Sequence, residues 1–447
     1  MNFIKRIFQP GLLIFSLSLL FYTFYKSEIF WGGTKHDYYL NLYLIDGILI
    51  FLSLILFLLK DNLKIYFTIF FCSCFISVYI FEAYLILRVD NLDDLKAKSK
   101  LYKDLTGKEF DKRSHFEVFR DMKKKDTNVT MTVPFNFFLK KDDDRLFALS
   151  GISNSKTIYC NQNGYYSIYQ SDRFGFNNPD NEWDKKEIEY FLIGDSFTHG
   201  ACVNRPDDIA SVLRLLSNKS VLNLGYAAKG PLSEYATLRE YIRPNIKKIV
   251  WFYFEGNDVF NLEQELKSNT LKKYLNDKNF SQELVKKQDK IDLFAKEIIK
   301  QEEKKEKSND RDKVKKIKDF IKIFNTRYIF ARQLDPQPQF TTILSHVKDI
   351  AQKNNSKFYL VYLPNYSRYK FGYKKGSIKE IKKITDKLDI KFIDIDKEVF
   401  KKERDPLQLF PFKINGHYNV LGYKKVTEAV FKLTINDWNV TFIVTNI

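Results

Sequence analysis

Cysteine and histidine are scarce in this chain, which has four cysteines and five histidines among 447 residues. Cys72 and Cys74 lie in an apolar segment without a histidine or a further cysteine close by, so they lack the spacing of a zinc site. We therefore expect no metal and no other cofactor. Cys160 and Cys202 lie in a more polar part of the chain and would form a disulfide outside the cytoplasm if the fold brings them together.

Basic helices with base-reading residues are missing as well, although Lys and Arg (73) outnumber Asp and Glu (55) and give a formal charge of +18. An excess of this size is typical of proteins that bind nucleic acid or an anionic membrane surface. The chain is rich in Lys, Asn, Ile, Phe and Tyr together, however, which is the composition expected from an AT-rich genome. We therefore expect no nucleic-acid partner.

Three long apolar segments open the chain, at about residues 7–25, 40–59 and 65–87. Each approaches the roughly 20 residues that a helix needs to cross a bilayer. Bulky residues follow the first segment, where a cleavage site for a signal peptide requires small ones. The sequence therefore predicts a retained anchor of three transmembrane helices over residues 1–88, with the lipid bilayer as a partner.

Positive charges flank these segments unequally. Lys5 and Arg6 precede the first one, and Lys60 and Lys64 bracket the turn between the second and the third. The positive-inside rule places both groups on the cytoplasmic side. The chain after Arg88 then lies outside, so we expect a multi-pass protein of the inner (cytoplasmic) membrane with its main domain in the periplasm or on the extracellular side.

Two acidic residues, Asp46 and Glu82, stand within or near the apolar segments. An ionisable group at membrane depth marks a functional site or takes part in a contact between helices. We favour interfacial positions or helix–helix contacts for both residues over a functional site.

The polar remainder of the chain divides into a helical connector, residues 89–135, and one domain over residues 136–447. In this domain, apolar runs that end in Gly, Asn or Asp alternate with helical segments, which predicts an α/β fold with a parallel sheet covered on both faces. The alternation breaks at about residues 262–325, where Lys/Glu-rich helical sequence intervenes. We interpret this insertion as mostly solvated, with a lid or a membrane-surface contact as alternatives.

The first apolar run of this domain ends abruptly at Gly194-Asp195-Ser196, and a helical segment follows from Ile209. This order places Ser196 at the carboxyl edge of the sheet, where open α/β sheets bind ligands. A helix amino terminus nearby would favour developing negative charge, as a nucleophilic serine requires. The same tripeptide is also common turn chemistry, with Ser196 as a helix-capping residue.

Gly225, Asn257 and His417 follow Ser196 in the chain at two further strand ends and in a loop before the last helix. Acyl transfer needs a nucleophile, a base and donors for an oxyanion. Ser196 and His417 would be the first two, and the N–H groups of Ser196 and Gly225 with the Asn257 amide would form the oxyanion hole. Alternatively, Asn257 is an Asx-turn residue and His417 a structural histidine. His199, close to Ser196, ranks below His417 as a base.

These motifs, in this order, resemble the SGNH (GDSL-type) hydrolase superfamily, whose sequence blocks contribute Ser, Gly, Asn and His. The matching segments are Gly194-Asp195-Ser196, Asn223-Leu224-Gly225, Gly256-Asn257-Asp258 and Gly416-His417-Tyr418-Asn419. The resemblance covers about residues 190–433. It implies a flavodoxin-like three-layer α/β/α sandwich and a serine esterase or O-acyltransferase. The expected substrate is an O-acyl, for example O-acetyl, ester of an envelope polysaccharide or glycolipid.

One position departs from the pattern of this family. The family places an Asp two or three residues before the histidine, where this chain has Asn415 and Ile414. We therefore expect a Ser196–His417 dyad that Asn415 or a backbone carbonyl orients, with Asp195 and Asn415 in supporting positions. Loss of the anionic group costs about four orders of magnitude in rate in serine proteases. The second hypothesis is accordingly a catalytically inactive envelope protein that binds a carbohydrate or a protein partner.

Overall fold

The computed structural model describes residues 2–33, 36–92, 95–141, 146–306, 317–323, 326, 336–369 and 377–435. Contacts between residues divide the chain into two compact units. The first unit combines Met1–Asn91 with Asp310–Arg332, and the second combines Leu92–Asn309 with Gln333–Ile447. Part of the predicted insertion therefore belongs to the same unit as the amino-terminal segments.

The first unit contains long apolar helices, which are α1 (Asn2–Phe24), α2 (His36–Leu58) and α3 (Asp61–Leu92). A π-helix, Tyr25–Phe30, continues α1. Three segments are long and apolar enough to cross a membrane, namely Gln9–Phe30, Tyr39–Leu58 and Asn62–Leu87. These segments confirm the three predicted helices of membrane-spanning length.

Asp46 and Glu82, the two acidic residues considered above, are buried and accept hydrogen bonds. The Oγ1 of Thr23 in α1 donates to the Oδ2 of Asp46 in α2 over 2.7 Å. The Oε2 of Glu82 in α3 accepts from the backbone N–H and the Oγ1 of Thr326, over 2.7 and 2.8 Å. The Asp46 contact is the helix–helix contact that the sequence predicts, whereas Glu82 contacts the insertion.

The second unit begins with α4 (Leu95–Thr106) and α5 (His115–Lys123). A small three-stranded sheet follows. It consists of β1 (Val129–Met131), β2 (Lys156–Ile158) and β3 (Ile168–Gln170), with α6 (Phe135–Leu139) after β1. Because β1 pairs with β2, and β2 with β3, the end of the predicted connector is part of this unit rather than a separate helical link.

A five-stranded sheet lies at the centre of the second unit. Its strands are β4 (Ile188–Gly194), β5 (Val221–Asn223), β6 (Ile246–Phe254), β7 (Lys357–Leu363) and β8 (Lys391–Asp394). All of them pair in parallel, in the order β5-β4-β6-β7-β8. This is the flavodoxin-like strand order, and it confirms the predicted α/β fold with a parallel sheet.

Helices cover both faces of this sheet, which explains why its strands are continuous apolar runs. The helices are α7 (Ser196–His199), α8 (Ile209–Ser217), α9 (Pro231–Tyr241), α10 (Asp258–Glu265), α11 (Asn269–Asn276), α12 (Gln288–Glu306), α13 (Pro338–Lys353), α14 (Ile378–Lys387), α15 (Ile395–Glu398) and α16 (Val420–Ile435). Successive residues of β4 enter opposite cores. Phe191 and Ile193 belong to one core, and Tyr190 and Leu192 to the other.

The first part of the insertion is less solvated than the sequence predicts. Leu271 and Tyr274 of α11, and Ile291 and Ile298 of α12, are buried in the core. These apolar side chains recur at helical spacing among Lys and Glu residues, so each helix has an apolar face that its average composition conceals.

The later part of the insertion contacts helix α3 within the first unit. Residues 317–321 are helical. The hydroxyl of Tyr79 in α3 donates to the backbone oxygen of Ile321 over 3.0 Å, and the rings of Tyr79 and Phe320 lie 5.4 Å apart. This part of the insertion thus contacts a helix of membrane-spanning length, while residues 317, 318, 321 and 322 are exposed.

Candidate active site

Ser196 begins the short helix α7 at the carboxyl end of β4. Asp195 caps this helix, because its Oδ1 accepts a hydrogen bond of 2.8 Å from the backbone N–H of Phe197. The Ser196 side chain therefore stands at the edge of the sheet that the sequence predicts. It is nearly buried, with 8% of its surface exposed.

His417 lies beside Ser196, although 221 residues separate the two along the chain. Its Nε2 is 2.8 Å from the Oγ of Ser196, which is a hydrogen bond. The Phe197 ring packs against the imidazole, with 4.7 Å between ring centroids. The Tyr418 hydroxyl donates to the backbone oxygen of Pro364 over 2.8 Å and ties the histidine loop to the end of β7. The structure thus brings the predicted nucleophile and the predicted base into contact.

Burial lowers the pKa of His417 from 6.5 to about 4. The neutral imidazole therefore predominates at neutral pH, and only this form accepts a proton from a serine hydroxyl. Within the part of the chain that the structure describes, no carboxylate forms a hydrogen bond or ion pair with His417. The anionic residue of a Ser-His-Asp triad accordingly has no counterpart there.

Gln162 occupies the side of His417 where the family resemblance implies an aspartate. Its Oε1 accepts a hydrogen bond of 2.7 Å from the backbone N–H of His417 and lies 3.1 Å from the Nδ1 of the ring. The sequence reasoning missed this residue. Gln162 belongs to the loop between β2 and β3, 255 residues before His417, and no motif marks it.

Asn415 does not orient His417, contrary to the prediction. Its side chain is exposed, and no hydrogen bond joins it to the imidazole among the described residues. The residue between them, Gly416, gives Gln162 access to the imidazole instead. A Cβ on Gly416 would lie 2.8 Å from the Oε1 of Gln162, so the absent side chain leaves room for Gln162 beneath the histidine loop.

The loop that carries Gln162 is covalently attached to the segment after the nucleophile. Cys160 and Cys202 form a disulfide, with 4.9 Å between their Cα atoms, which confirms the pairing that the sequence left open. The Nδ2 of Asn163 donates to the backbone oxygen of Cys202 over 2.9 Å. Gln162 thus lies between two residues that are both tied to Cys202.

Asn257 approaches the nucleophile through Asp195. The Nδ2 of Asn257 lies 3.4 Å from the Oδ2 of Asp195, and the Oγ of Ser196 lies 3.5 Å from the same oxygen. Both contacts are long for hydrogen bonds, so the Asn257 amide is loosely held in this structure. The predicted place of Asn257 near Ser196 agrees with this geometry.

Gly225 lies at the end of β5, close to α7. A Cβ at this position would lie 2.4 Å from the backbone nitrogen of His199, so the close packing of the strand end against α7 requires glycine. The backbone N–H of Gly225 donates to the Oδ1 of Asn223 over 2.8 Å. To bind an oxyanion, this N–H would have to give up its hydrogen bond to Asn223 or divide it between two acceptors. The role of Gly225 in the oxyanion hole therefore stays a prediction.

His199, the second candidate base, is a buried residue of the protein core. Its Nδ1 lies 3.3 Å from the backbone oxygen of Gly225, and the rings of Tyr159 and Tyr169 lie within 4.8 Å of its own. Burial lowers the pKa of His199 to about 3. Burial also raises the pKa of the neighbouring Tyr159 well above its usual range.

Three buried carboxyl groups lie behind the nucleophile, those of Asp195, Glu234 and Asp258. Burial and mutual repulsion hold the pKa values of Glu234 and Asp258 well above their usual range, and burial raises the pKa of Asp195 to about 6. The Oε2 of Glu234 accepts a hydrogen bond from the Trp251 indole over 2.6 Å. Among the described residues, no group of three or more His, Cys, Asp or Glu side chains is arranged to hold a metal ion.

No protein-family model and no curated protein matches the chain. Solved structures do match it. A member of the lipolytic protein G-D-S-L family from Veillonella parvula is 11% identical, with a TM-score of 0.33, and the match covers 55% of this chain and 98% of that one. An acetyl xylan esterase is 13% identical, with a TM-score of 0.30, over 56% of this chain and 100% of that one. Sequence identities and TM-scores as low as these support no conclusion about activity. The fold of this chain is established by the strand order given above.

Proposed function

We propose that this chain is a membrane-anchored serine esterase or O-acyltransferase of the SGNH type, with an acyl-enzyme on Ser196. The observation that carries the proposal is the 2.8 Å contact between the His417 Nε2 and the Ser196 Oγ. This contact lies at the carboxyl edge of a parallel sheet, where open α/β folds bind their ligands. A nucleophile and a base within hydrogen-bond reach are the signature of covalent catalysis.

In the proposed reaction, the Oγ of Ser196 attacks the carbonyl carbon of an ester while His417 takes its proton at Nε2. The N–H of Ser196, the Asn257 amide and the N–H of Gly225 stabilise the resulting oxyanion. The tetrahedral intermediate expels the alcohol, which receives the proton from His417, and leaves the acyl group on Ser196. Water or a sugar hydroxyl then attacks the acyl-enzyme, with His417 again as the base.

The neutral surroundings of His417 limit the expected rate. An imidazolium beside a carboxylate is stabilised by charge, whereas Gln162 offers only the dipole of its amide. We therefore expect slower acylation than in an enzyme with a complete Ser-His-Asp triad. Protection from bulk water partly offsets this loss, because each remaining electrostatic interaction is stronger in a buried site.

The proposed site of action is the outer face of the inner membrane. Three helices of membrane-spanning length support the membrane association, and the positive-inside pattern supports an external domain. The disulfide agrees with an oxidising compartment. An anchored enzyme at this face would meet O-acyl esters, for example O-acetyl esters, of an envelope polysaccharide or glycolipid, and these are the substrates that we propose.

The experiment that tests the proposal is covalent labelling of the full-length protein, in detergent, by a fluorophosphonate, with intact mass as the readout. Wild type should gain one adduct, and Ser196→Ala should gain none. His417→Ala should react at least about a thousandfold more slowly, because the base is lost. Asn415→Ala is the matched control and should react like wild type. A folded wild type that stays unlabelled would contradict catalysis and favour a binding protein.

Hydrolysis and acyl transfer use the same residues, so a second measurement separates them. Unlabelled wild-type protein that has been shown to react with the fluorophosphonate would be incubated with a chromogenic acetate ester, with and without an oligosaccharide acceptor. Release of acetate at the same rate in both cases indicates a hydrolase. Acetylated oligosaccharide, formed at the expense of free acetate, indicates an O-acyltransferase.

A further inference from the structure

We propose that Gln162 is the positioning residue of His417, and that the Cys160–Cys202 disulfide holds Gln162 in place, so that the reactivity of Ser196 depends on the oxidised disulfide. This inference rests on the proposed function, because it concerns the same serine and histidine. It extends that function by a residue from outside the family motifs and by a redox condition.

The first step is the pair of contacts that one oxygen makes. The Oε1 of Gln162 accepts from the backbone N–H of His417 and also faces the Nδ1 of its ring, at 2.7 and 3.1 Å. An amide oxygen only accepts hydrogen bonds, so the Nδ1 must carry the proton of the neutral imidazole. The lone pair of Nε2 then points at the Ser196 hydroxyl, which is the tautomer that a general base requires.

The second step is the covalent connection that the disulfide makes between the segment of Ser196 and the segment of Gln162. Cys202 follows Ser196 by six positions in the sequence, and Gln162 follows Cys160 by two. The bond between Cys160 and Cys202 therefore links the segment of the nucleophile to the segment of the positioning residue. The Sγ of Cys202 itself lies 4.0 Å from the Nδ1 of His417, so the disulfide borders the imidazole directly.

The third step concerns the other attachments of the loop. The Oδ1 of Asn161 accepts from the backbone N–H of Gly164 over 2.9 Å, and its Nδ2 donates to the backbone oxygen of Asp111 over 2.8 Å. These contacts shape the turn and fix one side of it. The nucleophile segment is contacted by the disulfide, by the bond from Asn163 to the backbone of Cys202 and by the Tyr159 ring, which lies 4.8 Å from that of His199. Where the loop enters β3, the backbone N–H of Ile168 also donates to the Oδ1 of Asn204 over 2.8 Å. Reduction would remove the covalent link, which is the attachment nearest to Gln162 and His417, and leave noncovalent contacts there.

The test of Gln162 compares Gln162→Ala and Gln162→Glu with Asn415→Ala in the full-length protein. Gln162→Ala should lower the rate of fluorophosphonate labelling about 10- to 100-fold, as loss of a partner that orients a functional histidine does elsewhere. Gln162→Glu places a carboxylate at Nδ1, so it should move the acid limb of the labelling rate upward by about one to three pH units. Asn415→Ala should change neither quantity.

A spectroscopic readout separates this inference from the proposed function. In protein labelled with ¹⁵N-histidine, the nitrogen shifts of His417, assigned by comparison with His417→Ala, report which nitrogen bears the proton. Wild type should show the proton on Nδ1, and Gln162→Ala should show a mixture of tautomers. This result is obtained even if Ser196 reacts with no probe. The same tautomer ratio in both proteins, or an acid limb unmoved in Gln162→Glu, would overturn the role of Gln162.

The test of the disulfide is a double-mutant cycle. Cys160→Ser with Cys202→Ser should slow labelling at least about tenfold in the wild-type background, if the disulfide holds the positioning residue. In the Gln162→Ala background the same pair should cause little further loss, because the residue that the disulfide positions is already absent. Losses that multiply in the two backgrounds would show an independent effect and would overturn the proposed coupling.

A reversible measurement guards against misfolding of the cysteine variants. Wild type treated with dithiothreitol should lose labelling to the level of the double serine variant, and reoxidation should restore it. Circular dichroism before and after the treatment records whether the domain stays folded. Full labelling of a reduced, folded protein would contradict the inference.

Discussion

Gly416 and Gln162 are packed so closely that a Cβ on Gly416 would lie 2.8 Å from the Gln162 Oε1. Gly416→Ala should therefore displace the amide from His417 and reduce fluorophosphonate labelling about 10- to 100-fold, to the level of Gln162→Ala. The end of a flexible side chain can move aside, so the free energy of unfolding should fall by only about 1 kcal/mol, the lower end of the usual cost of overpacking. Labelling rate and urea unfolding measure the two effects. A large loss of stability with normal labelling would contradict this account.

The pH dependence of acylation should reflect the half-buried position of His417. Only the neutral imidazole accepts the serine proton, and burial lowers the pKa of His417 to about 4. The rate should thus rise as the pH increases through about 4 and be level by about pH 6, below the usual midpoint of histidine near 6.5. The measurement is kcat/KM for a chromogenic ester against pH. A midpoint near 6.5 would mean that the imidazole is solvated or charge-stabilised.

The same burial predicts how stability changes with pH. The pKa values of His417 and His199 in the folded protein, about 4 and about 3, are lower than the usual value of 6.5. Both groups therefore contribute stability that is fully present above pH 6.5 and is lost as the pH falls towards 4 and then 3. His199→Gln should reduce this dependence in urea unfolding measured between pH 7 and pH 4.5.

Asn257 offers a test of the oxyanion hole. Asn257→Ala should lower kcat about 10²- to 10³-fold with little change in KM, because its amide would bind the charge that develops only in the transition state. Asn257→Asp should not restore the rate, since a carboxylate repels the oxyanion. Steady-state kinetics with a chromogenic ester measures both variants. A change in KM alone would indicate that Asn257 binds the ground state instead.

The site residues at the carboxyl edge of the sheet could be predicted from the sequence, but the loop that carries Gln162 could not. Ser196, Gly225 and Asn257 each follow the end of an apolar run, so a local signal marks every one of them. Gln162 carries no such signal, because its role depends on a contact with a residue 255 positions away. A glutamine also lacks the charge by which a third catalytic residue is usually recognised.

The insertion shows a different limit of sequence reasoning. Its many Lys and Glu residues suggest a solvated segment, yet Tyr274 and Ile298 lie in the core. The average composition of a helix does not reveal which face is apolar, whereas the spacing of its few apolar residues does. The contact between Thr326 and Glu82 depends on tertiary structure and has no local sign in the sequence.

The disulfide should also stabilise the second unit as a whole. It joins residues that are 42 positions apart, and closing a loop of this length in the unfolded chain corresponds to about 4 kcal/mol in the chain-entropy account. The Cys160→Ser, Cys202→Ser variant should lose a free energy of unfolding of this order in urea unfolding, with tryptophan fluorescence as the probe. An unchanged transition would mean that the denatured state already restricts this loop.

The contact between the insertion and α3 is open to a direct test by cross-linking. Tyr79 and Ile321 are joined by a hydrogen bond of 3.0 Å, so cysteines at both positions should be joined rapidly by a short bifunctional maleimide in native membranes. The background would be Cys72→Ser with Cys74→Ser, which removes the free thiols of the same helix.

Val78→Cys with Ile321→Cys is the matched control, because residue 78 lies about 100° around the helix from residue 79. Equal cross-linking of both pairs would show that residues 317–321 do not keep one fixed position against α3. Preferential cross-linking of the first pair would show that residues 317–321 lie against α3 within the first unit, as we expect from the buried hydrogen bonds between Glu82 and Thr326.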